Sequence, residues 1–202
     1  MSYSPLIKTY TGERFTDVDF TDETLSGCTF VKCDFRGTIF SGALLEKCRF
    51  SACAFDFARL NDTLSRGTAF EKCTFTAASL FVAEFRDCKC TGCRFSGADL
   101  TGWTVKGGML DYCMLDETSL RKQDFSGVSL RGVNFSDADM EKANLSGCDL
   151  TETIFRNTKL KGADLRGVRW DRTDIRNAKL QETAIDLDGA VYLANCLGAV
   201  LR

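Results

Sequence analysis

The sequence predicts an all-β solenoid, and three periodicities predict it. Counting in fives from Phe15 to Ile185, the 35 positions are apolar apart from one polar residue, Ser65, and one small one, Cys90. A period of five fits neither the 3.6 of a helix nor the 2 of an alternating strand. Two residues before each of these positions the chain is usually small, as at Cys28, Cys33, Thr38, Ala43, Cys48 and Cys53. Each repeat therefore turns one large and one small residue inward, and the repeats fill their own core. The large positions also sort into columns at a spacing of 20. Residues 15, 35, 55, 75 and 95 are all Phe, and the next column runs Phe20, Phe40, Leu60, Leu80, Leu100. Like residues in register are what a stacked β ladder gives.

Glycine marks the corners. Of 17 glycines, 14 lie two residues after a large inward position, where a turn needs positive φ or close backbone approach. Repeats such as Ala98-Asp99-Leu100-Thr101-Gly102, Ala143-Asn144-Leu145-Ser146-Gly147 and Ala163-Asp164-Leu165-Arg166-Gly167 resemble the A(D/N)LXX motif of the pentapeptide-repeat family. The resemblance covers residues 13–187. It implies a right-handed quadrilateral β-helix with four repeats and 20 residues per coil. The repeats then make about nine coils, a rod of roughly 42 Å at ~4.8 Å per coil.

Taken in order, the stretch up to Tyr10, with Pro5, reads as a strand or coil covering the first edge. The β-helix with this cap occupies 1–187. Ser65, beside Leu64, marks a local irregularity that a shifted strand turning Leu64 inward would explain. Trp103 and Gln123 occupy the small inward position in consecutive coils, so a bulge or kink is expected over 103–123, with Gly108 making room. The period ends after Ile185, and 188–202 reads as a capping or dimerisation helix and tail. Asp188 would cap its start, Leu187 and Tyr192 would staple it, and Gly198 would end it. Ala199-Val200-Leu201 could follow as a strand. Ala190, Leu193, Ala194 and Leu197 form an apolar stripe that Val191 widens. Capping the last coil accounts for part of it, and a two-fold contact would bury the surplus.

Composition narrows the function. The chain has no histidine, which removes the commonest general base and metal ligand. Its glycines follow the corners and form no phosphate-binding loop. With the interior plugged and no long loop to make a pocket, no enzyme is expected. Nine of the eleven cysteines sit at the small inward position, where they read as small hydrophobes in a reducing cytoplasm. Cys90-Thr91-Gly92-Cys93 is formally a CxxC, but it has no second pair, so neither metal nor cofactor is expected. No apolar run is long enough for a membrane span and no signal sequence is visible. Balanced charge, 26 Lys and Arg against 28 Asp and Glu, gives no ground for direct nucleic-acid binding.

That leaves the surface and the ends. Sorted by face, Asp17, Asp34, Asp56, Asp116, Glu117 and Asp137 lie beside the Phe15 column, and Asp19, Asp22, Asp62 and Asp99 lie beside the next. They form one acidic tract, which by itself is also what an ordinary solvated surface looks like. The terminal helix and its Leu-Gly-apolar tail resemble the ending of the topoisomerase-protecting pentapeptide-repeat proteins, the MfpA and Qnr types. That resemblance implies a homodimer joined end to end through Leu187, Ala190, Val191, Leu193, Ala194, Leu197, Val200 and Leu201. It implies DNA gyrase and topoisomerase IV as partners, duplex-DNA mimicry by the acidic tract, and resistance to quinolones or topoisomerase toxins. A formal charge of −2 is weak for a mimic. The alternative is an interaction scaffold unrelated to topoisomerases, using the outward apolar residues Phe57, Phe81 and Val82.

Overall fold

The computed structural model describes residues 9–199. Ten three-residue strands come first: β1 Thr9–Thr11, β2 Thr24–Ser26, β3 Thr29–Val31, β4 Leu44–Glu46, β5 Arg49–Ser51, β6 Leu64–Arg66, β7 Ala69–Glu71, β8 Glu84–Arg86, β9 Lys89–Thr91 and β10 Thr104–Lys106. They form two parallel sheets, β1-β3-β5-β7-β9 and β10-β8-β6-β4-β2. Every pair is offset by 20 residues, as in Thr29↔Arg49 and Leu44↔Leu64. The odd sheet carries the Phe30 column and the even sheet the Leu25 column. Single bridges such as Asp34↔Ala54 and Ile39↔Arg59 make the other two faces. Four faces per 20 residues follow, and the β-solenoid expected from the sequence is the fold. Continuous sheet spans about five turns, fewer than the nine coils expected. Past Lys106 the same spacing persists only as single bridges, through to Asp164↔Ala184.

The core is a stack of like side chains. Phe15, Phe35, Phe55, Phe75 and Phe95 lie ring over ring with centroids 4.8–4.9 Å apart. Phe30, Phe50 and Phe70 repeat this on the adjoining face at 4.9–5.2 Å and meet the first stack edge-on. Edge-to-face contacts between parallel stacks suit the quadrupole of each ring. The small inward residues do more than fill space. Thr38 Oγ1 donates to Phe15 O at 2.7 Å, and Thr63, Thr153 and Thr158 do the same to Phe40, Leu130 and Phe135. Cys48, Cys93 and Cys148 place Sγ 3.0–3.2 Å from the carbonyls of Leu25, Phe70 and Phe125. Each such donor reaches back 23 residues, to the large inward residue of the coil before. Thr and, more weakly, Cys add a hydrogen bond that the Ala of other repeats, such as Ala43 and Ala58, does without, so the cysteines are more than small hydrophobes.

All 35 corners, from residue 12 to residue 182 in steps of five, have positive φ: 14 are glycine and 21 are not. Four expectations are corrected. Ser65 keeps its register opposite Leu45 and points inward, fully buried, while Leu64 stays outside on Leu44. Gly108 does not make room for Trp103; the backbone of Cys88 fills the space where its Cβ would stand. The C-terminal helix α1, Leu187–Cys196, is capped by Asp186, not Asp188. Asp186 accepts from Gly189 N at 2.9 Å and from Gly167 N at 2.5 Å, so its carboxylate also ties the helix to the last full coil. Leu187 is 78% exposed and makes no staple. Tyr192 instead stacks on Trp170, centroids 5.2 Å apart, and its hydroxyl donates to Thr173 O. The helix ends as expected. Gly198 turns at φ 79° and donates to Asn195 O, while Ala199 donates to Ala194 O, the paired bonds of a Schellman cap. Pro5, Val200 and Leu201 lie outside the described residues.

Candidate partner-binding surface

The acidic tract stands on the first face (the Phe15 column), the second (the Phe20 column) and the corners beside them. Asp17, Asp22, Asp62, Glu117 and Asp137 are corner residues with φ between 54° and 60°, and all five are exposed. A left-handed corner throws its side chain away from the rod, so these carboxylates project. Asp19 and Asp99 are exposed on the second face, and Asp34, Asp56 and Asp116 are half-buried on the first. Glu117 and Asp137 are one coil apart in the same corner column, joined by the Glu117 N to Ser136 O rung. The axial step between these two carboxylates is therefore about 4.8 Å.

The tract is poor in counter-ions. Several carboxylates elsewhere are paired along the rod, Glu71 with Arg49, Glu152 with Arg172, and Asp139 and Glu141 with Arg121, while Asp87, Asp111, Asp124 and Asp149 make no ion pair among the described residues either. Of the ten tract residues only Asp34 makes an ion pair among the described residues, 2.6 Å from Arg36 and 3.8 Å from Arg14. The Arg36 hydrogen bond holds its pKa below the ordinary value. Four others are held by neutral donors, Asp99 by Thr101 N. Asp19 accepts from Thr21 N and Oγ1, which lowers its pKa, Asp56 from Thr74 Oγ1 and Thr76 N, and Asp137 from Asn157 Nδ2. Neutral donors fix a carboxylate without cancelling its charge.

A local signal separates the two groups. An acid before the large inward residue and an Arg after it share one face, and Asp34-Phe35-Arg36, Glu84-Phe85-Arg86, Asp164-Leu165-Arg166 and Asp174-Ile175-Arg176 all pair. With Thr in place of Arg, as in Asp19-Phe20-Thr21 and Asp99-Leu100-Thr101, the acid caps a backbone N–H and stays unpaired with any cation. Sequence reasoning grouped Asp34 with the rest and missed this.

Phe57 is 67% exposed, Phe81 46% and Val82 43%. They sit in adjacent coils at the two corners that bound the second face. Sequence reasoning missed Tyr112 and Met114, 50% and 37% exposed. Tyr112 lies over Gly132 in the next coil, where a Cβ would stand 2.4 Å from its ring. On α1, Leu187, Ala190, Val191 and Leu197 face outward and Ala194 is half-buried, but Leu193 packs onto the end of the rod.

The described residues contain no group of three or more His, Cys, Asp or Glu arranged to hold a metal, and no helix long and apolar enough to cross a membrane. Hollows among the described residues include shallow clefts against α1, bounded by Arg172, Arg176, Tyr192 and Cys196, and a slot beside β10.

The chain belongs to the pentapeptide-repeat family. The family model for pentapeptide repeats matches eight copies, over residues 14–51, 66–102, 113–152 and 153–190. Among solved structures, a trypsin-treated variant of QnrB1, described as a plasmid-mediated fluoroquinolone resistance protein, superposes with a TM-score of 0.83 at 26% identity, covering 96% of this chain and 98% of that one. A second trypsin-treated variant of QnrB1 gives 0.64 at 25% identity, over 96% and 98% of the two chains. Full-length QnrB1 gives 0.62 at 24% identity, over 94% and 97%. No curated protein matches the sequence significantly.

Proposed function

We propose that this protein is a non-catalytic ligand of bacterial type II topoisomerase, DNA gyrase first, and that it confers quinolone or topoisomerase-toxin resistance by occupying the enzyme's DNA site. The observation that carries this reading is the group of nine tract carboxylates with no ion-pair partner, displayed along two faces of one rod and their corners. Uncompensated negative charge along a rod is what a basic DNA-binding surface recognises. Against the objection from net charge, several cations, among them Arg49, Arg86, Arg121, Arg166 and Arg172, are paired with acids outside the tract. The likeness to QnrB1 supports the choice of partner. The outward residues of α1, Leu187, Ala190, Val191 and Leu197, would join two copies end to end, and the buried free thiols suit action in the cytoplasm.

The second reading, a scaffold for another protein, is favoured by the exposure of Phe57 and Phe81. Binding to purified gyrase separates the two. Replacing Asp116, Glu117 and Asp137 together by Ala is expected to abolish binding, and rising salt to weaken the wild type steeply. Binding that ignores salt and those three acids but is lost in Phe57→Ser with Phe81→Ser would establish the scaffold instead.

A further inference from the structure

Successive coils are joined rung by rung almost everywhere. Leu80, Val82 and Asp87 donate to Asp99, Thr101 and Lys106 at 2.8–2.9 Å, and Leu120 and Lys122 donate to Asp139 and Glu141 at 2.7–2.9 Å. Between those two sets lies a seam. The amides of Leu100, Gly102 and Gly107, which hold the equivalent places, have no backbone acceptor among the described residues, nor do the amides of Ser119 and Asp124. Bridges join Ser79 to Asp99 and Ser119 to Asp139, but none joins Asp99 to Ser119, and β10 is left as an unpaired sheet edge. The break covers only the second and third faces. On the other two, Phe95 donates to Met114 O, Met114 to Cys93 O and Gly92 to Asp111 O, all at 2.8–2.9 Å.

The cause is local. Trp103 stands where other coils carry a small residue, fully buried, with its ring 5.5 Å from those of Phe85 and Phe95. One coil on, Gln123 Nε2 reaches across to Trp103 O at 2.5 Å, replacing the missing backbone rung. Thr118 turns its hydroxyl to Leu115 O in its own coil instead of reaching back to the coil before. A cavity of about 250 Å³ beside β10, lined by Thr104, Lys106, Gly107, Gln123, Asp124 and Ser126, occupies the gap.

We propose that this seam is a joint. The rod is two cooperative blocks, hinged on the first and fourth faces and held on the open side by the Gln123–Trp103 latch. In a solenoid each coil is stabilised by its neighbours, so an interface short of its rungs uncouples the blocks on either side. The acidic tract crosses the joint, with Asp99 on one side and Asp116, Glu117 and Asp137 on the other. Flexing would thus alter the spacing offered to a partner; that consequence rests on the topoisomerase reading, whereas the joint itself does not.

Native-state hydrogen exchange of the full chain in rising denaturant tests it. Amides of the first five coils and those of the later coils are expected to form two groups with different opening free energies, divided at the seam. Leu100, Gly102, Gly107 and Ser119 should exchange on the order of 100-fold faster than Leu80, Val82 and Leu120. Gln123→Leu keeps the bulk but loses the donor, and should raise exchange at the seam about tenfold further while leaving distant coils unchanged. A single opening group with uniform protection overturns the joint. Seam exchange that is unmoved by the variant, or a rise spread over the whole rod, overturns the latch. Should Gln123→Leu fail to fold, Gln123→Glu, which keeps the shape without the amide donor, is read in the same way.

Discussion

Substituting Gly108 by Ala tests how closely the coils approach. The new Cβ would stand 2.1 Å from Cys88 O, 2.8 Å from Cys88 N and 3.0 Å from Cys88 C, all of them backbone atoms. Ordinary carbon–oxygen contacts lie at about 3.3–3.6 Å, so the two coils must part locally by about 1 Å. Cys88 O is the acceptor of the Met109 N rung at 2.9 Å and cannot withdraw without loosening it. A positive φ of 77° adds a second penalty. Roughly 1–2 kcal/mol for Ala in the left-handed region, a lost rung of ~1 kcal/mol and disturbed packing together give about 3–5 kcal/mol. Gly97→Ala is the control. Its φ is 67° and nothing lies within 4 Å of its Cβ, so only the conformational cost of roughly 1–2 kcal/mol applies. Urea unfolding of both variants, followed by circular dichroism, should show Gly108→Ala losing at least twice as much as Gly97→Ala. Equal losses would refute the contact and leave the corner conformation as the whole effect.

Ser65→Ala should stabilise the rod by about 1 kcal/mol, because Ser65 Oγ is buried without a partner; a lower melting temperature would contradict this. Native protein treated with a thiol reagent at pH 8 should label exposed Cys196 at once and half-buried Cys28 slowly. Burial pushes the Cys48 and Cys88 thiols up to about 11 and Cys148 up to about 12, so these should react only on unfolding, and prompt labelling of most cysteines would overturn the packing. Hydrogen bonds from Arg86 and Lys106 lower Glu84 to about 2. A carboxylate lowered on folding adds stability above its unfolded pKa of about 4.3 and loses it as pH falls toward the folded value. The stability gap between wild type and Glu84→Gln should therefore shrink between about pH 4.5 and 2; a gap constant over that range would contradict the pairing.

The architecture was legible because it is written in the inward positions, and those answer only to their own columns. A Phe at 15, 35, 55, 75 and 95 has one way to stack. What could not be read depends on neighbours 20 or more residues away, or on the end of the repeat. Asp186 caps α1 partly because Gly167, in the coil beneath, offers its N–H to the same carboxylate, and nothing near Asp188 signals that. Trp103 was visibly out of place, yet that Gln123 would bridge to its carbonyl needed the geometry. Counting in fives put each tract residue beside its column, but Asp17, Asp22, Asp62, Glu117 and Asp137 stand at corners rather than on the faces. Their pairing was only half legible: the Arg two residues after Asp34 could have been noticed, while the Thr74 and Thr76 donors to Asp56 come from the next coil.

The central claim is that the unpaired acids engage a type II topoisomerase. A DNA gyrase supercoiling gel with purified protein, run with and without a fluoroquinolone, tests it most directly. Wild type is expected to reduce supercoiling or to lower the yield of drug-induced double-strand breaks, and the variant lacking the Asp116, Glu117 and Asp137 carboxylates is expected to do neither. No effect of the wild type at concentrations well above the enzyme's, or an equal effect of the variant, would contradict the account.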